Sequence, residues 1–229
     1  MTNKCPRPVD FRKVLRRLLL RFGPQCWWPA KTPFEVCVGA VLTQNTAWVN
    51  VERAIANLKN AGVLGCRRLR ALPHSRLARL LRPSGYFNLK ARRLRAFLDF
   101  FNQEFGASIH RMRKQGLYGL RGKLLNVHGV GRETADSILL YALNKPVFVV
   151  DAYTRRIFSR HNWIRGDEDY DQIRLRVETS WAKSDISLKI RDYNEFHALL
   201  VAVGKHYCHS RVPLCWKCPL QKMLPKKAG

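Results

Sequence analysis

The stretch Val127-His128-Gly129-Val130-Gly131-Arg132-Glu133-Thr134-Ala135-Asp136-Ser137-Ile138-Leu139-Leu140 decides the reading of this chain. An apolar approach leads into two glycines and then into residues with helical spacing. Glycines at such a turn permit positive φ and let the backbone come close to a ligand. Amides at the start of the following helix can hold a phosphate. Twenty residues after Gly131 stands Asp151, at the end of the apolar run Val147-Phe148-Val149-Val150. A glycine pair with an acid about twenty residues on also fits a dinucleotide-binding fingerprint. That alternative needs a parallel sheet. Lys123–Val127 could imitate one strand and Val147–Val150 a second, and the chain offers no third.

Outward from the hairpin, the pattern is helical. Phe11, Val14, Leu15, Leu18, Leu19 and Phe22 fall on one helix face, with Asp10 as N-cap and Gly23-Pro24 as the stop. Thr32-Pro33-Phe34-Glu35 reads as a capping box with proline at the first helical position. Helices are predicted over about 47–60, 66–72, 75–81, 118–126, 132–143, 152–161, 170–182 and 193–207. A longer one is capped by Asn88, with Leu94, Phe97, Leu98 and Phe101 inward. The predicted class is all-α. An earlier turn, Leu80-Leu81-Arg82-Pro83-Ser84-Gly85-Tyr86, is a second, less sharp hairpin.

The chain has 229 residues, 42 Lys plus Arg against 16 Asp plus Glu, and a formal net charge of +26. Hydrophobic residues make up 46%, which argues against charge-driven disorder. A folded, strongly basic chain points to a polyanionic partner, most simply nucleic acid. The charge is uneven: Arg53–Leu98 holds twelve Lys/Arg and no acid. Arg67, Arg68, Arg70, Arg76, Arg79, Arg82, Lys90, Arg92, Arg93 and Arg95 belong to this stretch. The acids gather at Asp167, Glu168, Asp169 and Asp171, read as a loop and helix start facing away from the polyanion.

No apolar run is long enough to span a bilayer, and the start has no apolar core of a secretory signal. Seven cysteines cannot all pair internally, and three lie within eleven residues near the C-terminus. That clustering reads as metal ligation in a reducing compartment, with a cytoplasmic location expected. Cys5, Cys26, Cys37 and Cys66 lack metal spacing and read as buried apolar residues.

Val127–Ala135 followed by Val149-Val150-Asp151 resembles the helix-hairpin-helix, Gly-Pro-Asp superfamily of DNA glycosylases, in its endonuclease III branch. Val41-Leu42-Thr43-Gln44-Asn45-Thr46, Pro83–Tyr86 with Asn88-Leu89-Lys90-Ala91, and the cysteine cluster extend the likeness over most of the chain. The resemblance implies a six-helix domain over 31–145. It implies a second helical domain from residues 1–30 and 146–229, and a cleft for double-stranded DNA between the two. It implies a monomeric repair enzyme with Asp151 as catalytic carboxylate. Gly129, Val130, Gly131 and Arg132 would hold DNA phosphate, and Gln44 and Asn45 would wedge into the duplex beside the orphaned base. The bland reading of Gln44 and Asn45 is capping of the next helix. By itself Asp151 reads equally as the N-cap of the helix it precedes.

Bifunctional members of this branch carry a lysine just after the hairpin glycines; its amine forms a Schiff base and leads to strand cleavage. The matching position here is Glu133, which cannot form an imine, so a monofunctional glycosylase is expected. The order Trp27-Trp28-Pro29, then Phe34-Glu35-Val36, then Leu42–Thr46 is similar to the 3-methyladenine glycosylase subgroup. That similarity puts Trp28, Pro29 and Trp48 around a flipped base, with Trp27 adjacent and Lys205 reaching in from the last helix. The alternatives are core tryptophans and an exposed or phosphate-bound lysine. Cys208, Cys215 and Cys218 reproduce the first three ligands of the branch's [4Fe–4S] loop, while the fourth position, 224, is Leu224. An open-site cluster, a loop without metal, and a zinc site completed by His206 or His209 all stay in play.

Overall fold

In a computed structural model, residues 6–25, 27 and 30–225 are described. Among them the chain forms α1 (Phe11–Phe22), α2 (Pro33–Leu42), α3 (Trp48–Asn60), α4 (Cys66–Ala71), α5 (His74–Leu80) and α6 (Phe87–Phe105). These are followed by α7 (Ile109–Arg113), α8 (Leu117–Leu125), α9 (Arg132–Ser137), α10 (Ala152–Arg160), α11 (Tyr170–Thr179) and α12 (Ile186–His206). No strand occurs among the described residues. The all-α expectation therefore holds. The chain divides into two compact units, one from residues 1–27 and 146–229, the other from residues 28–145.

In the unit of residues 28–145, α2 is the central helix. It is buried from Glu35 to Leu42 and packs on α3, α6, α9 and the π-helical turn Ile138–Ala142 that continues α9. The Thr32 hydroxyl accepts from the Glu35 amide, as predicted. The reciprocal half differs: the Glu35 carboxylate bonds the Lys31 amide at 3.4 Å and pairs with Lys59 Nζ at 2.6 Å. A buried carboxylate prefers a cation to a second amide. Asn88 does not cap α6. Gly85 (φ 67°) and Tyr86 (φ 45°) turn the chain in left-handed geometry, so that helix starts at Phe87.

In the other unit, α1, α10 and α12 enclose an aromatic core. Phe11 stacks on Phe158 at 4.8 Å, and Trp163, Phe196 and Phe148 extend the cluster. Gly204 lets α10 lie directly on α12, because a Cβ there would sit 2.1 Å from the Tyr153 ring. Helix α12 begins seven residues before the predicted start, capped by the Asp185 carboxylate on the Leu188 amide. Ser108 caps the unpredicted α7 in the same way. Glu168 corrects the reading of the acidic segment: it is 3% exposed. It pairs with Arg176 at 2.8 Å and accepts from the Arg165 amide, so this charge is spent inside the fold.

Candidate active site

Asp151 closes the buried run Val147–Val150, whose residues are 0–3% exposed. This run is extended yet pairs with no strand. The Phe148 amide donates to Glu178 Oε1 at 2.9 Å and the Val150 amide to the Tyr170 hydroxyl at 3.3 Å. Side chains of α11 thus do what a neighbouring strand would do for buried amides. The strut ends where α10 begins. Asp151 is the N-cap of α10, its Oδ1 accepting from the Thr154 amide at 2.7 Å.

The second carboxylate oxygen, Oδ2, lies 3.7 Å from His197 Nε2 on α12. The Trp27 ring stacks on the His197 imidazole at 5.6 Å and 16°. Burial on its own pushes the Asp151 carboxyl up. The His197 contact and the Thr154 amide outweigh it, and the carboxyl lies below its ordinary value. A carboxylate held ionised in an apolar, aromatic-lined setting can stabilise a nearby cation or orient water. Sequence reading missed His197. Its only signal was a histidine on the inward face of a helix.

The second centre is the hairpin between α8 and α9. Val127 and Val130 are buried under it, and the Val130 amide bonds the Val127 carbonyl at 3.0 Å. Gly129 has φ +80°, and a Cβ there would lie 2.2 Å from Arg93 Cγ. Glycine is required on both counts. Gly131 is the N-cap of α9; having no side chain, it places no oxygen over the first-turn amides. Arg132 and Glu133 are exposed at that helix start. Behind the hairpin, Arg121 on α8 makes a bidentate pair with Asp136 on α9 at 2.7 and 3.1 Å. The Asp136 side chain is fully buried.

Gln44 sits in the turn between α2 and α3. Its Nε2 donates to the Gly129 carbonyl at 2.8 Å and to Thr134 Oγ1 at 2.9 Å, and its Oε1 accepts from Arg93 Nη1. Asn45, the next residue, is exposed with φ +53°. Trp48 opens α3, half-buried, with its indole N–H on Glu52 at 2.8 Å. Lys205 is exposed near the end of α12. Trp28 and Pro29 lie outside the described residues.

The basic stretch divides in two. Arg67, Arg68, Arg76, Arg79, Arg82 and Arg92 are exposed. Lys90 is 1% exposed and its Nζ donates to the Ser84 carbonyl at 2.5 Å, so it braces the first hairpin from inside. Arg95 likewise bonds the Arg70 and Leu72 carbonyls. These two cations are thus engaged by carbonyls of the protein itself.

In the C-terminal loop, Cys208 is buried and its Sγ accepts from Arg160 Nη1 at 3.1 Å. The same guanidinium bonds the His209 and Ser210 carbonyls at 2.6 and 2.8 Å, and Arg156 bonds the Cys208 carbonyl at 2.8 Å. Burial, together with the neighbouring Cys208 and Cys215 thiols, raises the Cys218 pKa. Among the described residues no group of three or more His, Cys, Asp or Glu side chains is arranged to hold a metal ion, and position 224 is leucine. With leucine at 224 the loop offers three thiolates rather than the four of a fully Cys-ligated cluster.

Comparison with known proteins agrees with the all-helical fold. The family profile for HhH-GPD superfamily base excision DNA repair proteins matches residues 38–183. An inferred DNA repair glycosylase of Methanocaldococcus jannaschii is 44% identical over 217 residues, 94% of this chain and 96% of that protein. Endonuclease III of Thermotoga maritima is 27% identical over 189 residues, covering 82% of this chain and 81% of that one. Among solved structures, the Helicobacter pylori 3-methyladenine DNA glycosylase bound to 1,N6-ethenoadenine is 33% identical with a TM-score of 0.75. The match covers 86% of this chain and 98% of that one. A non-covalent endonuclease III–DNA complex, 19% identical, shares the fold with a TM-score of 0.79 over 95% of this chain and 96% of that chain.

Proposed function

The chain belongs to the HhH-GPD superfamily of base excision DNA repair proteins, and from that footing we propose that this DNA glycosylase is monofunctional and removes an alkylated purine. The observation that carries the hydrolytic reading is the Asp151 carboxylate, capped onto α10 and kept ionised beside His197. A base inside a duplex is out of reach, so the nucleotide is flipped out before reaction. Breaking the N-glycosidic bond builds positive charge on the sugar. Asp151 stabilises that charge, and water completes the displacement at the anomeric carbon. The base leaves with the bonding electrons.

Glu133 supports the monofunctional reading, because a carboxylate at this helix start cannot form the Schiff base of a lyase. A purine alkylated at a ring nitrogen such as N3 or N7 is cationic and already a good leaving group, so one carboxylate and an aromatic face suffice. Trp27, which stacks on the His197 that contacts Asp151, is one candidate for the pocket wall. Trp28, Pro29, Trp48 and Lys205 are the further pocket candidates. Gly129–Arg132 would seat a backbone phosphate, and the exposed arginines would add sequence-independent, salt-sensitive grip.

The test is base release from methylated duplex DNA, followed with and without alkali, and from duplexes carrying oxidised pyrimidines. Expected are 3-methyladenine release, strand breaks only after alkali, no borohydride-trapped adduct, and loss of release in Asp151→Asn. A trapped adduct, or pyrimidine lesions cleaved without alkali, overturns the reading in favour of a glycosylase/lyase. Unchanged release in Asp151→Asn overturns the mechanism. Iron and acid-labile sulfide in anaerobically purified protein test the cysteine loop separately: stoichiometric values support a cluster held by Cys208, Cys215 and Cys218, and values below stoichiometry exclude it.

A further inference from the structure

Helix α6 joins two basic places. Near its start, the Arg93 stem lies against Gly129 of the hairpin. At its far end is a surface cavity of about 440 Å³ whose walls include Leu64, Cys66, Arg67, Arg68, Gly106 and Ala107. At about 1.5 Å of rise per residue, Gly106 stands about 20 Å along α6 from Arg93. The cavity is firmly built. Helix α4 is pinned to α6 by Arg95, which bonds the Arg70 and Leu72 carbonyls, by the Arg70–Asp99 pair at 2.7 Å, and by the Cys66 thiol on the Leu98 carbonyl. The Arg68 guanidinium is fixed by the Gly62 carbonyl at 2.7 Å. Gly106 ends α6 with φ +58°, and the Arg111 guanidinium lies where a side chain would stand, since a Cβ there would be 2.9 Å from Nη1.

Charge singles this cavity out. Arg67, Arg68 and Arg111 are exposed, and no acid lines the walls. The carboxylates on this half of α6 are already engaged, Asp99 by Arg70 and Glu104 by Lys123 at 2.5 Å. A concavity lined by one sign of charge concentrates the field and draws in counter-ions. Guanidinium forks match the oxygens of a phosphate, which they bind bidentately. We infer that this cavity is a second seat for the DNA backbone, taking a phosphate remote from the hairpin and independent of any lesion. At about 3.4 Å per nucleotide along a strand, the two seats lie several nucleotides apart and hold different parts of the backbone. This inference rests on the glycosylase reading only for its partner, DNA, so its test uses undamaged duplex and does not depend on base release.

Two measurements on the full chain test it. Phenylglyoxal, which modifies accessible guanidinium groups, is applied with and without a long undamaged duplex, and the modified positions are read by peptide mass. Expected is protection of Arg67, Arg68 and Arg111 by the duplex. Affinity for the same duplex is then followed across a salt series in wild type and in a triple variant, Arg67→Gln, Arg68→Gln and Arg111→Gln. Expected is a shallower dependence of log affinity on log salt, by about two to three, with binding about tenfold weaker at low salt. Unfolding temperature is unchanged, because the three side chains are exposed. Absence of protection at these arginines, or an unchanged salt slope, overturns the second seat. Protection by inorganic phosphate with an unchanged salt slope also overturns it, and assigns the cavity to free phosphate. Wild-type binding without release of any damaged base instead counts against the proposed reaction and leaves these outcomes readable.

Discussion

His197 Nε2 stands 3.7 Å from Asp151 Oδ2, with the imidazole buried, the carboxylate 11% exposed and the Trp27 ring stacked on the imidazole. Two opposing influences meet at that carboxyl. Burial favours the neutral acid, while His197 and the Thr154 amide favour the anion, and the anion prevails. His197 is thus a positioning residue for charge as well as geometry.

Its removal has a signature in pH. With Asp151 as the proposed catalytic carboxylate, the acid limb of single-turnover base release in wild type is expected below the ordinary carboxylate range. His197→Phe keeps an aromatic ring against Trp27 and leaves burial opposed only by Thr154. The limb then moves to higher pH, with release near neutrality least affected. A merely structural role lowers release equally at every pH, and that result excludes the pairing.

The two hairpin glycines separate structure from grip. A Cβ at Gly129 meets Arg93 at 2.2 Å under a positive φ, whereas one at Gly131 meets nothing within 4 Å. Gly129→Ala is expected to lower the unfolding temperature, with a cost of about 1–3 kcal/mol. Gly131→Ala leaves that temperature unchanged but weakens duplex binding and its salt dependence, by crowding a phosphate at the start of α9. Equal thermal loss in both variants removes the distinction.

The hairpin was legible because a glycine pair after an apolar approach leaves few backbone solutions. Asp151 was legible because an acid between an apolar run and a helix is a cap whatever else it does. His197 was not: it lies 46 residues further on, and only the packing of α10 on α12 through Gly204 brings it to Asp151. Nor could charge counting tell Lys90 and Arg95 from the exposed arginines beside them. Their partners are backbone carbonyls, which no sequence pattern displays. Val147–Val150 looked like a strand because it is extended and buried. What replaces the missing ladder is a pair of α11 side chains, Glu178 and Tyr170.

The Arg121–Asp136 pair is expected to dominate the stability of the hairpin. Asp136 is fully enclosed, so removing Arg121 takes a bidentate cation from a buried carboxylate. Arg121→Met is expected to cost about 3–5 kcal/mol in urea unfolding. An Arg121→Met/Asp136→Leu double variant recovers most of that loss, because two apolar groups leave no charge uncompensated. If the double variant is as unstable as Arg121→Met, the cost comes from lost packing of the arginine stem.

Lys90 gives stability an alkaline slope. Burial first, and then the nearby Arg93 charge, pull its pKa from 10.5 down to about 8. Between these values the unfolded chain binds more protons than the folded one, so folding strengthens as pH rises from about 8 to 10.5 and gains nothing from this group below that window. Other groups titrate in the same range, and comparison with Lys90→Met isolates this one. The difference in unfolding temperature between wild type and Lys90→Met is expected to widen in favour of wild type across the window. It is flat between pH 6 and 7.5, where Lys90 is protonated in both states. A difference that stays constant, or narrows, from pH 8 to 10.5 shows that the ammonium is not disfavoured by the fold and that the Ser84 carbonyl satisfies it.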